Sequence, residues 1–263
     1  MASKSSILDR FHLQEKIVLL TGGAGLYGRG LAADIAGAGA TLIVASRGLA
    51  GCQAVADEES ARGGHVFAES YDQGNEASIL GLRDRIVERF GRLDGLVNNS
   101  VARPMNAERS FLEGWEDSMR VNATGLVLMH EHFGKVLTGQ GMGSIVNIGS
   151  IYGMVGPHFD FYKGTPMPDP PPDYFFHKGG MINISRYYAA LFGRQGVRVN
   201  CLSPGGFQAG QPELFQERYN EQTCLGRMGD EKDLGGAVVF LLSEAARYIT
   251  GANLPVDGGF TAK

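Results

Sequence analysis

Cysteine is scarce in this sequence: Cys52, Cys201 and Cys224 are odd in number and far apart. That excludes a disulfide-stapled scaffold and a thiolate metal site, so no metal is expected, and it fits a reduced, cytoplasmic protein. Long apolar runs are missing as well. None approaches the roughly 18 residues that would span a bilayer, and the charged N-terminal stretch carries no signal-peptide core. Basic excess is also absent. Lys and Arg number 24 against 28 Asp and Glu, a net charge of −4, and no Lys/Arg run marks a nucleic-acid footprint. The partners left are a small-molecule substrate and further copies of the chain, with neither nucleic acid nor membrane.

Glycine, by contrast, is abundant at 39 of 263 residues. With no collagen-like period, this implies many tight turns and close backbone approaches. The 43% hydrophobic content supports a buried core, and the length predicts one domain over 1–263. Near-continuous β-branched runs recur at Ile17–Leu20, Leu42–Ala45, Val66–Ala68, Leu93–Val97, Ser144–Ile148, Val197–Leu202 and Asn253–Val256. Such runs suit strands covered on both faces. Between them lie helical spacings: Leu31 and Ile35; Ile79, Leu82, Ile86, Val87 and Phe90; Met181, Ile182, Ser185, Tyr188 and Leu191; and Leu234–Leu242. The alternation predicts an α/β, Rossmann-like, doubly wound parallel sheet of about seven strands flanked by helices. One composition break, 156–173, carries Pro157, Pro166, Pro168, Pro170, Pro171 and Pro172. It is expected to be neither helix nor central strand, but an ordered loop inserted between a strand and a helix.

Directly after the first strand stands Thr21-Gly22-Gly23-Ala24-Gly25-Leu26-Tyr27-Gly28. Gly23, Gly25 and Gly28 meet the G-x-G-x-x-G spacing between a strand and a helix, where small residues let backbone approach a pyrophosphate at the helix N-terminus. The candidate dinucleotide loop is Gly22 with Ala24, Gly25, Leu26, Tyr27 and Gly28. The second strand ends in Ser46 and Arg47, where a carboxylate would hold the ribose diol of NAD. An Arg beside a hydroxyl suits a 2′-phosphate, which favours NADP(H) and leaves NAD(H) open. Asp72 and Gln73, after the third strand, are placed to bond the adenine edge. Asn98, Asn99 and Ser100, after the fourth, would flank the same ligand.

Tyr174 and Lys178 share one face at the start of a predicted helix. Upstream lie Ser150, at the end of the fifth strand, and Asn122, in a helical stretch. Pro204-Gly205-Gly206-Phe207 follows the sixth strand, and Asp257-Gly258-Gly259 closes the chain. A helix cap for Ser150 and a satisfied buried amide for Asn122 are the plain alternatives. In order and over nearly the whole chain, these residues resemble the short-chain dehydrogenase/reductase family. The resemblance implies that Tyr174 is the general acid/base, that Ser150 orients the substrate oxygen and that Lys178 binds the nicotinamide ribose. Asn122 would hold a water that relays protons, and Pro204, Gly205 and Phe207 would line the nicotinamide side. Chemistry agrees, since a tyrosine hydroxyl, ordinarily near pKa 10, needs a nearby ammonium to work near neutral pH.

The sequence departs from the family pattern in three places. Leu26 stands where glycine is usual, Ser150 and Tyr174 are separated by the proline-rich insert, and Ala209 replaces a hydroxyl residue. The insert mixes His158, Asp160, Lys163, Thr165, Asp169 and Asp173 with Phe159, Phe161 and Tyr162, a set that would wall a polyhydroxylated substrate. It is similar to family members tied to acidic-sugar and surface-glycan metabolism. The expected function is hydride transfer between NADP(H) and a ketone or secondary alcohol, such as a sugar or sugar acid. A non-catalytic NADP-binding sensor and a reductase of carrier-bound 3-oxoacyl chains are the alternatives. The family resemblance, with the apolar 234–242 and the last strand, implies a homotetramer.

Overall fold

In the computed structural model, which describes residues 6–106 and 108–263, seven parallel strands follow the expected runs. They are β1 (Ile17–Thr21), β2 (Thr41–Ser46), β3 (His65–Ser70), β4 (Gly95–Asn98), β5 (Gly143–Ile148), β6 (Val197–Pro204) and β7 (Asn253–Val256). Eight α-helices alternate with them: α1 (Gly28–Gly37), α2 (Leu49–Ala61), α3 (Glu76–Phe90), α4 (Phe111–Ser118), α5 (Gly125–Gln140), α6 (Pro172–Phe192), α7 (Glu213–Gln222) and α8 (Gly235–Leu242). The sheet order β3-β2-β1-β4-β5-β6-β7 reverses between β1 and β4. A crevice opens there at the carboxyl ends of the strands, the usual ligand position in such sheets.

Alternating residues of each strand feed two cores. Val18, Leu20, Leu42, Val44, Val97 and Val146 pack with Leu31, Ile35 and Val238 of α1 and α8. Leu19, Ile43, Leu96, Ile145, Val197 and Val199 pack with Ile79, Phe133 and Tyr188 of α3, α5 and α6 on the other face. Burial on both sides explains why the strands read as unbroken apolar runs. The two edge strands, β3 and β7, stay partly exposed, and β7 carries Pro255 there.

The insert corrects one boundary. Pro172 and Asp173, read as loop, form the first turn of α6. Proline at the first helical position loses no hydrogen bond and has its φ preset, so the helix begins where the proline run ends. Of the aromatic residues of the insert, Phe159 stays exposed while Phe161 and Tyr162 turn inward. Phe161 and Tyr162 join a third cluster with Ile151, Phe215, Tyr219, Met228 and Phe260. Arg218 of α7 clamps the insert by donating to the carbonyls of Asp160 and Lys163.

Candidate active site

The glycine loop closes on itself through its backbone. Gly22 lies at φ 65°, and its carbonyl accepts from the Gly25 N–H. A Cβ on Gly23 would come within 2.8 Å of Val44, and one on Gly28 would strike the Gly22 carbonyl. Leu26, the departure from the family pattern, is tolerated because its backbone is not left-handed and its side chain is 58% exposed. Asn99 braces the loop by donating to the carbonyls of Thr21 and Gly22 at 3.1 Å. The Thr21 hydroxyl accepts from the Asn99 and Ser100 N–H groups and donates to Val97 O. Among the described residues, the N–H groups of Ala24, Leu26 and Tyr27 find no acceptor, and α1 starts without a side-chain cap. An uncapped helix start with free N–H groups fits an anionic pyrophosphate.

Opposite the loop, the Tyr27 ring meets Phe207 edge-on at 4.8 Å, and its hydroxyl reaches the Gly205 carbonyl. The two walls of the crevice thus touch at Tyr27. The segment after Pro204 is fixed by Gln211, which donates to Phe207 O and accepts from Ala209 N. Phe207 N keeps no partner among the described residues.

At the outer end of the crevice, the Arg47 side chain is exposed and unpaired among the described residues. Ser46 Oγ donates to Gly48 O and lies 3.0 Å from Cys52 Sγ. Asp72 Oδ1 accepts from Gly74 N, and Ser100 Oγ sits 2.9 Å from the Tyr71 hydroxyl. Gln73 corrects an expectation. Its carboxamide is buried, accepting from Tyr71 and donating to Val121 O, so its polar atoms brace the interior and do not face a ligand. Asn98 likewise bonds Asn147 in the sheet.

On the substrate side, Ser150 caps the 3-10 turn Ile151–Gly153, accepting from Tyr152 N at 3.1 Å. The cap alternative therefore holds, yet it uses only a lone pair and leaves the hydroxyl proton free. This turn presses onto α6, since a Cβ on Gly153 would come within 2.8 Å of the Lys178 carbonyl carbon. Lys178 Nζ donates to Ile148 O at 2.6 Å and stands 5.7 Å from the centre of the Tyr174 ring. Two of its three N–H bonds remain free. Burial pushes the Lys178 ammonium below its ordinary range. The rival hydroxyls Tyr152 and Tyr162 pair with each other at 3.3 Å, and burial raises both.

Asn122 sits in a π-turn, Met119–Thr124, between α4 and α5. Its Nδ2 donates to Ala102 O and Ser118 Oγ, and its Oδ1 accepts from Ala102 N. The side chain is thus committed to the protein, and any water held at Asn122 must use its backbone carbonyl. Arg103, absent from the sequence reading, lies with its guanidinium carbon 5.2 Å from the Tyr174 ring centre. A lone arginine in an irregular segment leaves no periodic signal. Among the described residues no group of three metal-ligating side chains occurs, and no helix is long and apolar enough to cross a membrane.

Residues 25–261 match the family model described as Enoyl-(Acyl carrier protein) reductase. The chain is 32% identical over 268 residues to D-threitol dehydrogenase of Mycolicibacterium smegmatis, covering 100% of this chain and 99% of that one. It is 32% identical over 254 residues to 3-oxoacyl-[acyl-carrier-protein] reductase FabG of Aquifex aeolicus, covering 94% and 98%. A solved gluconate 5-dehydrogenase from Burkholderia cenocepacia, in complex with NADP and tartrate, superposes with a TM-score of 0.86. It is 27% identical, with 98% of this chain and 100% of that chain covered.

Proposed function

Because the chain belongs to the short-chain dehydrogenase/reductase family, an NAD(P)-dependent oxidoreductase acting on CH–OH groups, we propose a specific assignment for its cleft. Tyr174 is the acid/base, Ser150 the donor to the substrate oxygen, and Lys178 the anchor of the nicotinamide ribose. The observation that carries this is Lys178, buried behind the Tyr174 ring and tied to Ile148, two residues before Ser150. When bound, the cofactor supplies or accepts the hydride. Tyr174 delivers the proton to the carbonyl oxygen during reduction or removes it from the hydroxyl during oxidation. The free Ser150 proton donates to that same oxygen and fixes its position. Lys178 turns its two unused N–H bonds to the ribose hydroxyls.

Ala24, Leu26 and Tyr27 offer their N–H groups to the pyrophosphate, and the Phe207 N–H meets the nicotinamide carboxamide. Arg47 holds the 2′-phosphate, which makes NADP(H) the preferred cofactor. The substrate is an anionic polyol of the sugar-acid class. The support is Arg103, a guanidinium over the reacting tyrosine with no carboxylate partner among the described residues, and the similarity to gluconate and threitol dehydrogenases. The insert, 156–173, flanks this substrate within a single domain. The enzyme works in the cytoplasm as a homotetramer. Reduction of a carrier-bound 3-oxoacyl chain is the second reading, favoured by the Aquifex aeolicus relative. Steady-state assays with gluconate, D-threitol, an aliphatic ketone and a 3-oxoacyl thioester, each with NADP(H) and NAD(H), test both. Turnover of the sugar acid with NADP supports the first reading, and turnover of the thioester alone would replace it with the second.

A further inference from the structure

A buried polar path joins the residue before Tyr174 to the loop that carries Arg103. Asp173, grouped in the sequence with the substrate-facing insert, instead turns inward and is 2% exposed. Its Oδ2 accepts a 2.5 Å hydrogen bond from Ser118 Oγ. Ser118, fully buried at the end of α4, accepts in turn from Asn122 Nδ2 at 3.0 Å. Asn122 then clamps Ala102 from both sides at 2.8 Å, donating to its carbonyl and accepting from its N–H. Arg103 is the next residue, and its guanidinium lies over the Tyr174 ring. The path leaves α6 beside Tyr174 and returns to Tyr174.

Asp173 orders this path. Its Oδ2 accepts the Ser118 hydroxyl proton, so Ser118 presents a lone pair to Asn122. That lone pair selects the NH₂ end of the amide, which leaves Oδ1 to face the Ala102 N–H. A flipped amide would set donor against donor at the Ala102 N–H and acceptor against acceptor at Ser118, so the two contacts enforce the same orientation. Asp173 Oδ1 has no partner among the described residues, so the side chain acts through Oδ2 and Ser118.

We propose that Asp173 and Ser118 are positioning residues: they orient Asn122, which pins Ala102 and so holds Arg103 over Tyr174, where it reads a carboxylate of the substrate. The last step rests on the anionic-polyol reading given above. Neither Asp173 nor Ser118 touches the reacting atoms.

The test uses the full chain saturated with NADP and two probes of the same carbon skeleton, tartrate and D-threitol, titrated calorimetrically. Wild type should bind tartrate more tightly. Arg103→Met should weaken tartrate by roughly ten- to hundredfold, the range of a charge-assisted hydrogen bond, and leave threitol unmoved. Ser118→Ala and Asp173→Asn should each remove part of the tartrate preference. The Ser118→Ala/Arg103→Met double variant should lose no more than Arg103→Met alone. Amide hydrogen exchange at Ala102 should quicken in both relay variants, an effect that does not depend on what the substrate is.

Unchanged exchange at Ala102, or additive losses in the double variant, overturns the relay. Equal wild-type binding of tartrate and threitol overturns the anionic-substrate reading instead, while the exchange measurement still decides the relay. Asp173→Asn keeps the volume of the side chain and carries both measurements if Ser118→Ala does not fold.

Discussion

The glycine loop Thr21–Gly28 and the insert 156–173 stand at the same carboxyl edge of the sheet and are built by opposite means. The loop is held by main chain: a left-handed Gly22, a turn closed on the Gly22 carbonyl, and Asn99 reaching two carbonyls. Its side chains are left over, and Leu26 points to solvent. The insert is held by side chains. Phe161 and Tyr162 are buried against Phe215, Tyr219 and Phe260, which come from distant parts of the chain. Backbone recognition needs glycine at fixed spacing and so leaves a pattern in the sequence. Side-chain packing needs only aromatic volume, which many orders of residues supply.

The comparison is tested most strongly where the insert returns to α6. Tyr174→Phe keeps the ring and removes the hydroxyl, so kcat should fall by roughly 10²–10⁴ while NADPH binding, measured by fluorescence titration, persists. Tyr152→Phe should stay near wild type, because that hydroxyl is paired with Tyr162. Normal turnover in Tyr174→Phe would hand the proton to another group.

Next in size is the packing of the insert. Phe161→Ala should cost about 3–5 kcal/mol in urea unfolding, the usual range for a buried phenylalanine. Removing the exposed Leu26 side chain from the glycine loop should change stability by less than about 0.5 kcal/mol. Equal costs at the two sites would dissolve the distinction between them.

A titration separates the regions further. His177 is buried on α6 next to Lys178, its ring nitrogens have no hydrogen-bond partner among the described residues, and its pKa is lowered to about 3, by burial first and by Lys178 second. The unfolded chain takes up a proton near pH 6.5 that the folded chain refuses, so stability is full above that pH and falls as the medium is acidified toward pH 3. From pH 7.5 to 5 this one group should remove roughly 2 kcal/mol, at 1.36 kcal/mol per pH unit below 6.5. His177→Leu should flatten that part of the unfolding free energy against pH, and an unchanged slope would assign the acid sensitivity elsewhere. His130, lowered to about 4 by burial, adds a slope of the same sign that the variant leaves in place.

The smallest effect falls on the loop side. Arg47→Ala should raise the KM for NADPH by about tenfold, within the range for losing one charge-assisted contact, with little change for NADH. A parallel rise for both cofactors would show that Arg47 does not read the 2′-phosphate.

Much of the architecture was legible before the structure. Strands covered on both faces are apolar along nearly their whole length, so β1, β2, β4, β5 and β6 stand out in the sequence, and the edge strands β3 and β7 show through shorter apolar runs. The glycine loop was legible for the reason already given, and Tyr174 with Lys178 because a helix turn fixes their spacing. Gln73 was misread because its position after β3 said nothing about where its carboxamide points, and Tyr71 and Val121 claim it. Asp173 groups with the insert in the sequence because a proline run reads as loop, whereas Pro172 starts a helix. Arg103 and Ser118 were passed over because each matters only through partners far away in sequence.

The sequence by itself determined the sheet, its crevice and the chain positions that supply the chemistry, because these rest on local periodicity and on glycine spacing. Tertiary structure alone decided which hydroxyl is free and which is paired. It sent Phe161 and Tyr162 of the insert into a core, made Asn122 an anchor for Ala102, and set Arg103 over Tyr174. Those outcomes depend on contacts between segments separated by tens of residues. A side chain's direction there is fixed by what the fold brings against it, which no local pattern encodes.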